Sequence, residues 1–220
     1  MILTYLGHSA FKLKGKRGVV VTDPYVSDIG FNMPNVSADI ITVSHDHLDH
    51  SASSLVSGTA RRKNPFLITQ PGEYEVCGLS VFGVETKHGA EEEEKKSNYI
   101  FTVLIDELRV CHLGDLGQEL TTGQIEAIGS IDILLCPVGG MHTLSPELAM
   151  KVTRSLEPSI VIPMHYKTAR HDKKMYEELA PVEDFVKAFG REVTPVDKLE
   201  ISRNSLPEET ELQVLTAQIA

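Results

Sequence analysis

Apolar residues along this chain come first in short runs and later at wider spacing, and that change of rhythm predicts where strands give way to helices. Ile2 to Leu6, Phe11 to Leu13 and Val19 to Thr22 are small apolar runs separated by turns containing glycine, which predicts an antiparallel meander. Asp39-Ile40-Ile41-Thr42-Val43 is the pattern of a strand covered on both faces. After His50, a polar stretch of small residues predicts a helix beginning near Ser51. Leu67 to Thr69, Leu79 to Thr86, Tyr99 to Ile105 and Leu108 to Leu113 continue the strands. The charge run Glu91-Glu92-Glu93-Glu94-Lys95-Lys96 is expected as an exposed loop between two of them.

In the second half strands alternate with helices. Thr121 and Gln124 form a capping box ahead of Ile125 and Ile128, and Gly129 closes that helix. Ile133 to Val138 has the composition of a buried strand. Ser145 as N-cap, Pro146 at the first helical position, and Leu148, Val152 and Leu156 four apart predict a helix that stops before Pro158. Ser159 to Met164 is a further strand. Pro181 to Phe189 is a helix with Val182, Phe185, Val186 and Phe189 on one face, ended by Gly190. Leu199-Glu200-Ile201 and Leu212 to Leu215 are edge strands or a partly ordered tail. No repeat and no linker divides the chain, so residues 1–220 are expected as one domain, with 191–220 as a C-terminal extension or edge strands. Two sheets with helices outside account for the series.

Composition narrows the class. The chain has 220 residues, 41% of them hydrophobic and 24% charged, enough to bury a good core without disulfides. Its net charge of −10 argues against a general affinity for nucleic acid, since no basic patch is present to neutralise phosphates. Cys77, Cys111 and Cys136 are far apart and form no Cys-x-x-Cys pair, as expected of reduced thiols in a cytoplasmic protein. The first residues lack the basic region of a signal peptide, and no apolar run approaches the roughly 18 residues of a membrane span.

Candidate chemistry concentrates behind the Asp39–Val43 strand. Ser44-His45-Asp46-His47-Leu48-Asp49-His50 gathers three imidazoles and two carboxylates, the side chains that bind divalent transition metals. His45 and His47 are two apart, so in an extended segment they point the same way, and Asp49 and His50 follow where the chain must turn. Three more residues stand at strand ends: His88 before Gly89, Asp115 after Gly114, and His165 after Met164. Their shared position places them on one rim of a sheet.

Here the chain resembles the metallo-β-lactamase-fold hydrolases. His45-Asp46-His47-Leu48-Asp49-His50 matches their His-x-His-x-Asp-His motif, and His88, Gly114-Asp115 and Pro163-Met164-His165-Tyr166 follow in that family's order. Gly7-His8-Ser9-Ala10-Phe11, Thr22-Asp23-Pro24-Tyr25, Pro71-Gly72-Glu73-Tyr74 and Pro137-Val138-Gly139-Gly140 are similar to its small branch related to ascorbate-6-phosphate lactonase. The likeness spans roughly residues 1 to 190. It implies an α/β (α+β) fold, a four-layer αββα sandwich with the site at one edge. It also implies two divalent ions, zinc foremost, with manganese or iron as alternatives. His45, His47 and His88 would hold the first ion and Asp49, His50 and His165 the second. Asp115 would bridge them, and Asp23 would brace the metal-binding loop.

The chemistry so implied is hydrolysis of an ester, lactone or phosphoester of a small molecule by water acidified between two ions, with Asp49 orienting the nucleophile and accepting its proton. Two alternatives stay open: a phosphodiesterase or nuclease, and a metal-binding sensor or scaffold without turnover. No Gly-x-Ser-x-Gly elbow offers a serine route. His8 and His142 stand as candidate substrate contacts beside an equal structural reading. His112 and His171 count as structural or solvent-facing, and Gly139-Gly140 as a turn that lets the backbone pass close to the metals. Phe31, Met33 and the tail are candidates for a homo-oligomer interface.

Overall fold

The computed structural model describes residues 1–89 and 96–220. Most of the charge run expected as a loop, Glu91 to Lys95, lies outside the described residues, and Lys96 opens a strand. The strands are β1 (Ile2–Gly7), β2 (Ala10–Lys14), β3 (Val19–Thr22), β4 (Val36–Ala38), β5 (Ile40–Thr42), β6 (Val56–Gly58), β7 (Phe66–Ile68) and β8 (Gly72–Val76) in the first part. β9 (Leu79–His88), β10 (Lys96–Ile105), β11 (Leu108–His112), β12 (Ile133–Pro137), β13 (Ile160–Met164), β14 (Leu199–Glu200) and β15 (Glu211–Leu212) complete them. The helices are α1 (Thr122–Ile128), α2 (Pro146–Leu156) and α3 (Val182–Phe189).

Two sheets carry the fold. One runs β14-β1-β2-β3-β5-β7 and the other β15-β13-β12-β11-β10-β9-β8, with β4 and β6 as a separate ribbon. β1, β2 and β3 form the expected antiparallel meander, and β5 then pairs parallel to β3. Period-two alternation sorts their side chains. Leu3, Tyr5, Phe11, Leu13, Val20 and Ile40 join the larger buried cluster with Val81, Phe101 and Val103 of the other sheet. Their neighbours Leu6, Ala10, Val21 and Ile41 face outward into a second cluster with Tyr25, Ile29 and Phe31. Each buried Val, Leu, Ile or Phe side chain contributes about 1.5–3 kcal/mol of transfer free energy, and the run from Asp39 to Val43 is apolar because both of its faces are covered.

Local signals shape the helices as expected. Gln124 N–H donates to Thr121 Oγ1 at 3.2 Å and Thr121 N–H to Gln124 Oε1 at 2.9 Å, closing the capping box of α1. Leu148 N–H donates to Ser145 Oγ at the start of α2. Glu157 ends α2 in a left-handed conformation, φ +47°, because the following Pro158 disfavours further helix. α1 packs against β9, and α2 against β12 and α3. Over the six-stranded sheet, the outer layer among the described residues is thinner. It consists of 3₁₀ turns at Ser27–Ile29 and Ser53–Leu55, the β4–β6 ribbon, and Tyr176 and Leu179. Among the described residues, no helix is long and apolar enough to cross a membrane.

One expectation changes and two are sharpened. The helix near Ser51 is only the Ser53–Leu55 turn, because the small polar residues there present no apolar face and Val56 is drawn into parallel pairing with Val36. Phe31 is buried against Tyr25 and His171, so little of it is left to meet a partner copy, while Met33 packs on the same cluster and is only partly buried. Of the two readings of the C-terminal stretch, edge strands hold: its two strands pair with β1 and β13 at the sheet edges, and Ile201, Leu212, Val214 and Leu215 are buried.

Strand direction then positions the site. β1, β3 and β5 run one way in their sheet, and β9, β11, β12 and β13 run one way in theirs. The turns leaving these strands hold His8, Asp23, His45 to His50, Gly89, Asp115, Met141 and His165. They gather at one rim of the two sheets.

Candidate metal centre

Asp115 lies at the middle of the rim. Its Oδ2 is 3.2 Å from His50 Nε2, 3.3 Å from His165 Nε2, 3.5 Å from His88 Nε2 and 3.8 Å from His45 Nε2. One carboxylate oxygen thus faces four imidazole nitrogens. Its backbone is fixed from behind: Asp115 N–H donates to Asn98 Oδ1 at 2.9 Å, and the Asn98 amide donates to Leu113 O and Thr86 Oγ1. Gly114 precedes it at φ +56°, where a Cβ would stand 2.3 Å from Asn98 Oδ1 and 2.5 Å from Ser44 Cβ. Only glycine permits that turn.

His45 and His47 meet as expected, with Nε2 and Nδ1 3.0 Å apart, although the segment holding them is a series of bends after β5 rather than a strand. His88 joins them closely enough for one ligand atom of each to lie within 4.8 Å of the others. Asp49, His50 and His165 form a second such group together with His8, and His45, His50 and Asp115 a third. All seven residues singled out as ligands therefore converge.

Asp23 organises the His45–His50 segment from beneath. Its Oδ1 accepts Ser44 N–H at 2.8 Å, and its Oδ2 accepts the Ser44 hydroxyl at 2.5 Å and His50 Nδ1 at 2.9 Å. Because Ser44 donates to Asp23, its Oγ is left to accept from His45 Nδ1, 3.0 Å away. Both rings then carry hydrogen on Nδ1 and turn Nε2 toward the centre, an arrangement that fixes tautomer and orientation of metal ligands.

The electrostatics fit that role. Burial lowers the His45 pKa to about 3 and that of His88 to about 4, so both are neutral and hold lone pairs at neutral pH. His47 is lowered also, by burial and despite Asp49. Burial works against charge on His50, yet Asp115, Asp23 and Asp49 together raise it well above the usual range. Asp115 itself is held well below the carboxylate range, because His165 and His50 more than offset its burial. Without a metal, His50 thus holds a proton where the carboxylates demand a cation.

Whether the residues fit a metal can be tested on polar groups left over. His50 Nε2 and Asp115 Oδ1 are buried with no hydrogen-bond partner among the described residues; the 3.2 Å approach of His50 to Asp115 lacks hydrogen-bond alignment. Buried polar atoms are seldom left so. Convergent imidazole and carboxylate donors with these leftovers are the chemistry of a divalent metal site, and the donor set fits.

The remaining histidines divide. His8 is buried beside Asp49, with Nε2 3.3 Å from its Oδ2. His142 lines the open cavity in front of Asp115. His112 is structural: it accepts Gly114 N–H at Nδ1 and meets Ser9 O at Nε2. His171 is buried against His8, not solvent-facing. Gly139 lets the chain pass against the His165 carbonyl, where a Cβ would come within 2.1 Å. Residues that sequence reasoning passed over are Ser44, Asn98, Lys96 and Tyr176. The Tyr176 hydroxyl donates to Asp49 Oδ2 at 2.9 Å, and Lys96 Nζ lies 3.3 Å from His47 Nε2. Only Ser44, between an apolar strand and the histidines, carried a local signal.

Comparison with known proteins agrees with this geometry. The model of the β-lactamase superfamily domain matches residues 2–165. A protein of Archaeoglobus fulgidus named UPF0173 metal-dependent hydrolase is 30% identical over 226 residues, covering 89% of this chain and 95% of its own. One of the same name from Thermoplasma volcanium is 31% identical over 189 residues, 74% of this chain and 82% of its own. A crystal structure from Thermotoga maritima, described as a candidate Zn-dependent hydrolase of the metallo-β-lactamase superfamily, is 38% identical. It covers 99% of both chains with a TM-score of 0.80. Sequence, fold and neighbours converge, and the chain belongs to the metallo-β-lactamase superfamily of metal-dependent hydrolases.

Proposed function

We propose that the protein hydrolyses an ester, lactone or phosphoester of a small molecule, using two divalent ions, zinc foremost, with manganese or iron as alternatives. His45, His47 and His88 would hold one ion, Asp49, His50 and His165 the other, and Asp115 both. The observation that carries this reading is the single Asp115 oxygen ringed by four imidazole nitrogens, with ligand groups on either side of it. Two ions so held supply Lewis acidity, lowering the pKa of water from about 15.7 toward 7 and polarising a substrate oxygen.

The chain's own residues do the rest. Asp23 and Ser44 hold His45 and His50 in one tautomer. Burial opposes charge on Asp49, but His50 and His8 offset it and keep its pKa lowered. Its carboxylate is therefore suited to holding and orienting more than to accepting a proton, the role expected from sequence. The cavity in front, about 390 Å³, suits a small molecule. Exposed Met141 and Met175 give it apolar, adaptable walls, and Lys96 adds a cation at its edge.

The test is an assay of the purified, metal-loaded protein against lactones, bis-p-nitrophenyl phosphate and single-stranded RNA, beside Asp115→Ala. Metal-dependent turnover of a small ester, reduced roughly 10³-fold or more in the variant, supports the reading. Cleavage of RNA alone would move the substrate to nucleic acid, and equal turnover by the variant would remove Asp115 from the chemistry.

A further inference from the structure

His8 stands where another metal ligand could stand. Its ring lies 4.3 Å from that of His165 and 5.1 Å from that of His50, centroid to centroid, and its Nε2 is 3.3 Å from Asp49 Oδ2. On distance alone it belongs with Asp49, His50 and His165 as a group able to hold an ion. The hydrogen bonds behind it decide otherwise.

The direction of those bonds is set by a backbone amide, which can only donate. Thr168 N–H donates to His171 Nδ1 at 3.1 Å. The Thr168 hydroxyl lies 3.0 Å from the same nitrogen and itself accepts Arg170 N–H. His171 Nδ1 is therefore an acceptor, and the ring's hydrogen sits on Nε2. That Nε2 is 3.3 Å from His8 Nδ1, which must accept in turn. The hydrogen of His8 then lies on Nε2, 3.3 Å from Asp49 Oδ2, a close electrostatic approach that lacks hydrogen-bond alignment. A nitrogen that carries hydrogen has no lone pair for a metal.

Building on the metal-hydrolase reading above, we propose that His8 is a positioning residue for Asp49, oriented as a donor through Thr168 and His171, and not a metal ligand. The Tyr176 hydroxyl donates to the same Oδ2 at 2.9 Å. Oδ2 is thus approached from two sides, by His8 and by the Tyr176 hydroxyl. The backbone of His8 is held in place to do this, with φ at +54° and its carbonyl accepting both the Tyr5 hydroxyl at 2.8 Å and His165 N–H at 2.9 Å. Such a conformation costs about 1–3 kcal/mol and persists only where the surroundings impose it. The turn into it needs Gly7, at φ +106°, where a Cβ would meet Phe31 at 2.6 Å.

The tautomers can be read directly. In protein labelled with ¹⁵N-histidine, with His8→Gln and His171→Leu used for assignment, two-bond proton–nitrogen correlations should show hydrogen on Nε2 of both His8 and His171. Loading with ¹¹³Cd should leave that pattern unchanged and add cadmium coupling to other histidines only. Hydrogen on Nδ1 of His8, or cadmium coupling to its Nε2, would overturn the proposal. Should no histidine couple to cadmium, the metal reading fails, and the tautomer still decides the role of His8. As a second measurement, His171→Leu removes the donor behind His8 while leaving every proposed ligand in place. Zinc affinity should fall roughly 10-fold; an unchanged affinity contradicts the relay.

Discussion

The two rims of the sandwich treat their charged groups in opposite ways. At the rim away from the histidines, the turn Asp106-Glu107 between β10 and β11 gives its carboxylate to Lys16 N–H at 3.0 Å. Asp132 accepts Arg109 N–H at 2.7 Å and pairs with half-exposed Arg203. Every one of those groups is answered, and the result is structure. At the other rim, buried imidazoles crowd one carboxylate oxygen, and His50 Nε2 and Asp115 Oδ1 stay unanswered. What separates a stabilising polar cluster from a functional one is thus not the presence of charge but whether the protein alone satisfies it.

The contrast should show first in acid. Burial lowers the His8 pKa from 6.5 to about 4. Between those values the unfolded chain binds a proton that the folded chain refuses. The His8 contribution to the stability of the metal-free protein should therefore be constant above pH 6.5 and be lost toward pH 4, on the order of 3 kcal/mol. His45, His88 and His171, also lowered by burial, act in the same direction. His50, raised, acts in a separate window: its contribution is fully present below pH 6.5, adding no slope there, and is lost as pH rises from 6.5 through its folded value. Denaturant titrations of chelator-treated protein from pH 7.5 to 4 measure the slope; a profile that is level or rises toward acid would contradict this picture of the rim. Asp132→Ala, at the far rim, should shift that curve down without changing its slope.

Next in size is Asp23→Ala, which removes no proposed ligand but frees His45 and His50 to turn. Competition with a fluorescent chelator should show metal affinity lower by roughly 10- to 100-fold. The far rim provides the counterpart. Asp132→Ala should cost about 1–2 kcal/mol of stability through its lost bond to Arg109 N–H, with metal content untouched. Arg203→Ala, a single half-exposed pair, should cost less than about 1 kcal/mol. If a far-rim variant lost metal, the two rims would not be independent.

Sequence disclosed the site better than its support, and for a physical reason. His45, His47, Asp49 and His50 are neighbours in the chain, and His88, Asp115 and His165 sit at strand ends, so local pattern reveals them. Asp23 was legible through its place before Pro24 in a family-like segment. Asn98, Tyr176 and His171 act through contacts 17, 127 and 163 residues away in sequence, and no local pattern encodes such pairings. The fold divides in the same way. Strands with buried runs were visible, whereas β8 was not: Glu73, Tyr74 and Glu75 form an edge strand with little to bury, and β4 and β6 are three residues each.

The central claim is that this rim is a metal centre built around Asp115. Metal analysis of the purified protein after zinc loading and gel filtration tests it most directly, with Asp115→Ala carried in parallel. About two ions per chain are expected in the protein as it stands, with a clear loss in the variant. A well-folded protein that retains no zinc, manganese or iron, or a variant that retains as much as its parent, would contradict the claim.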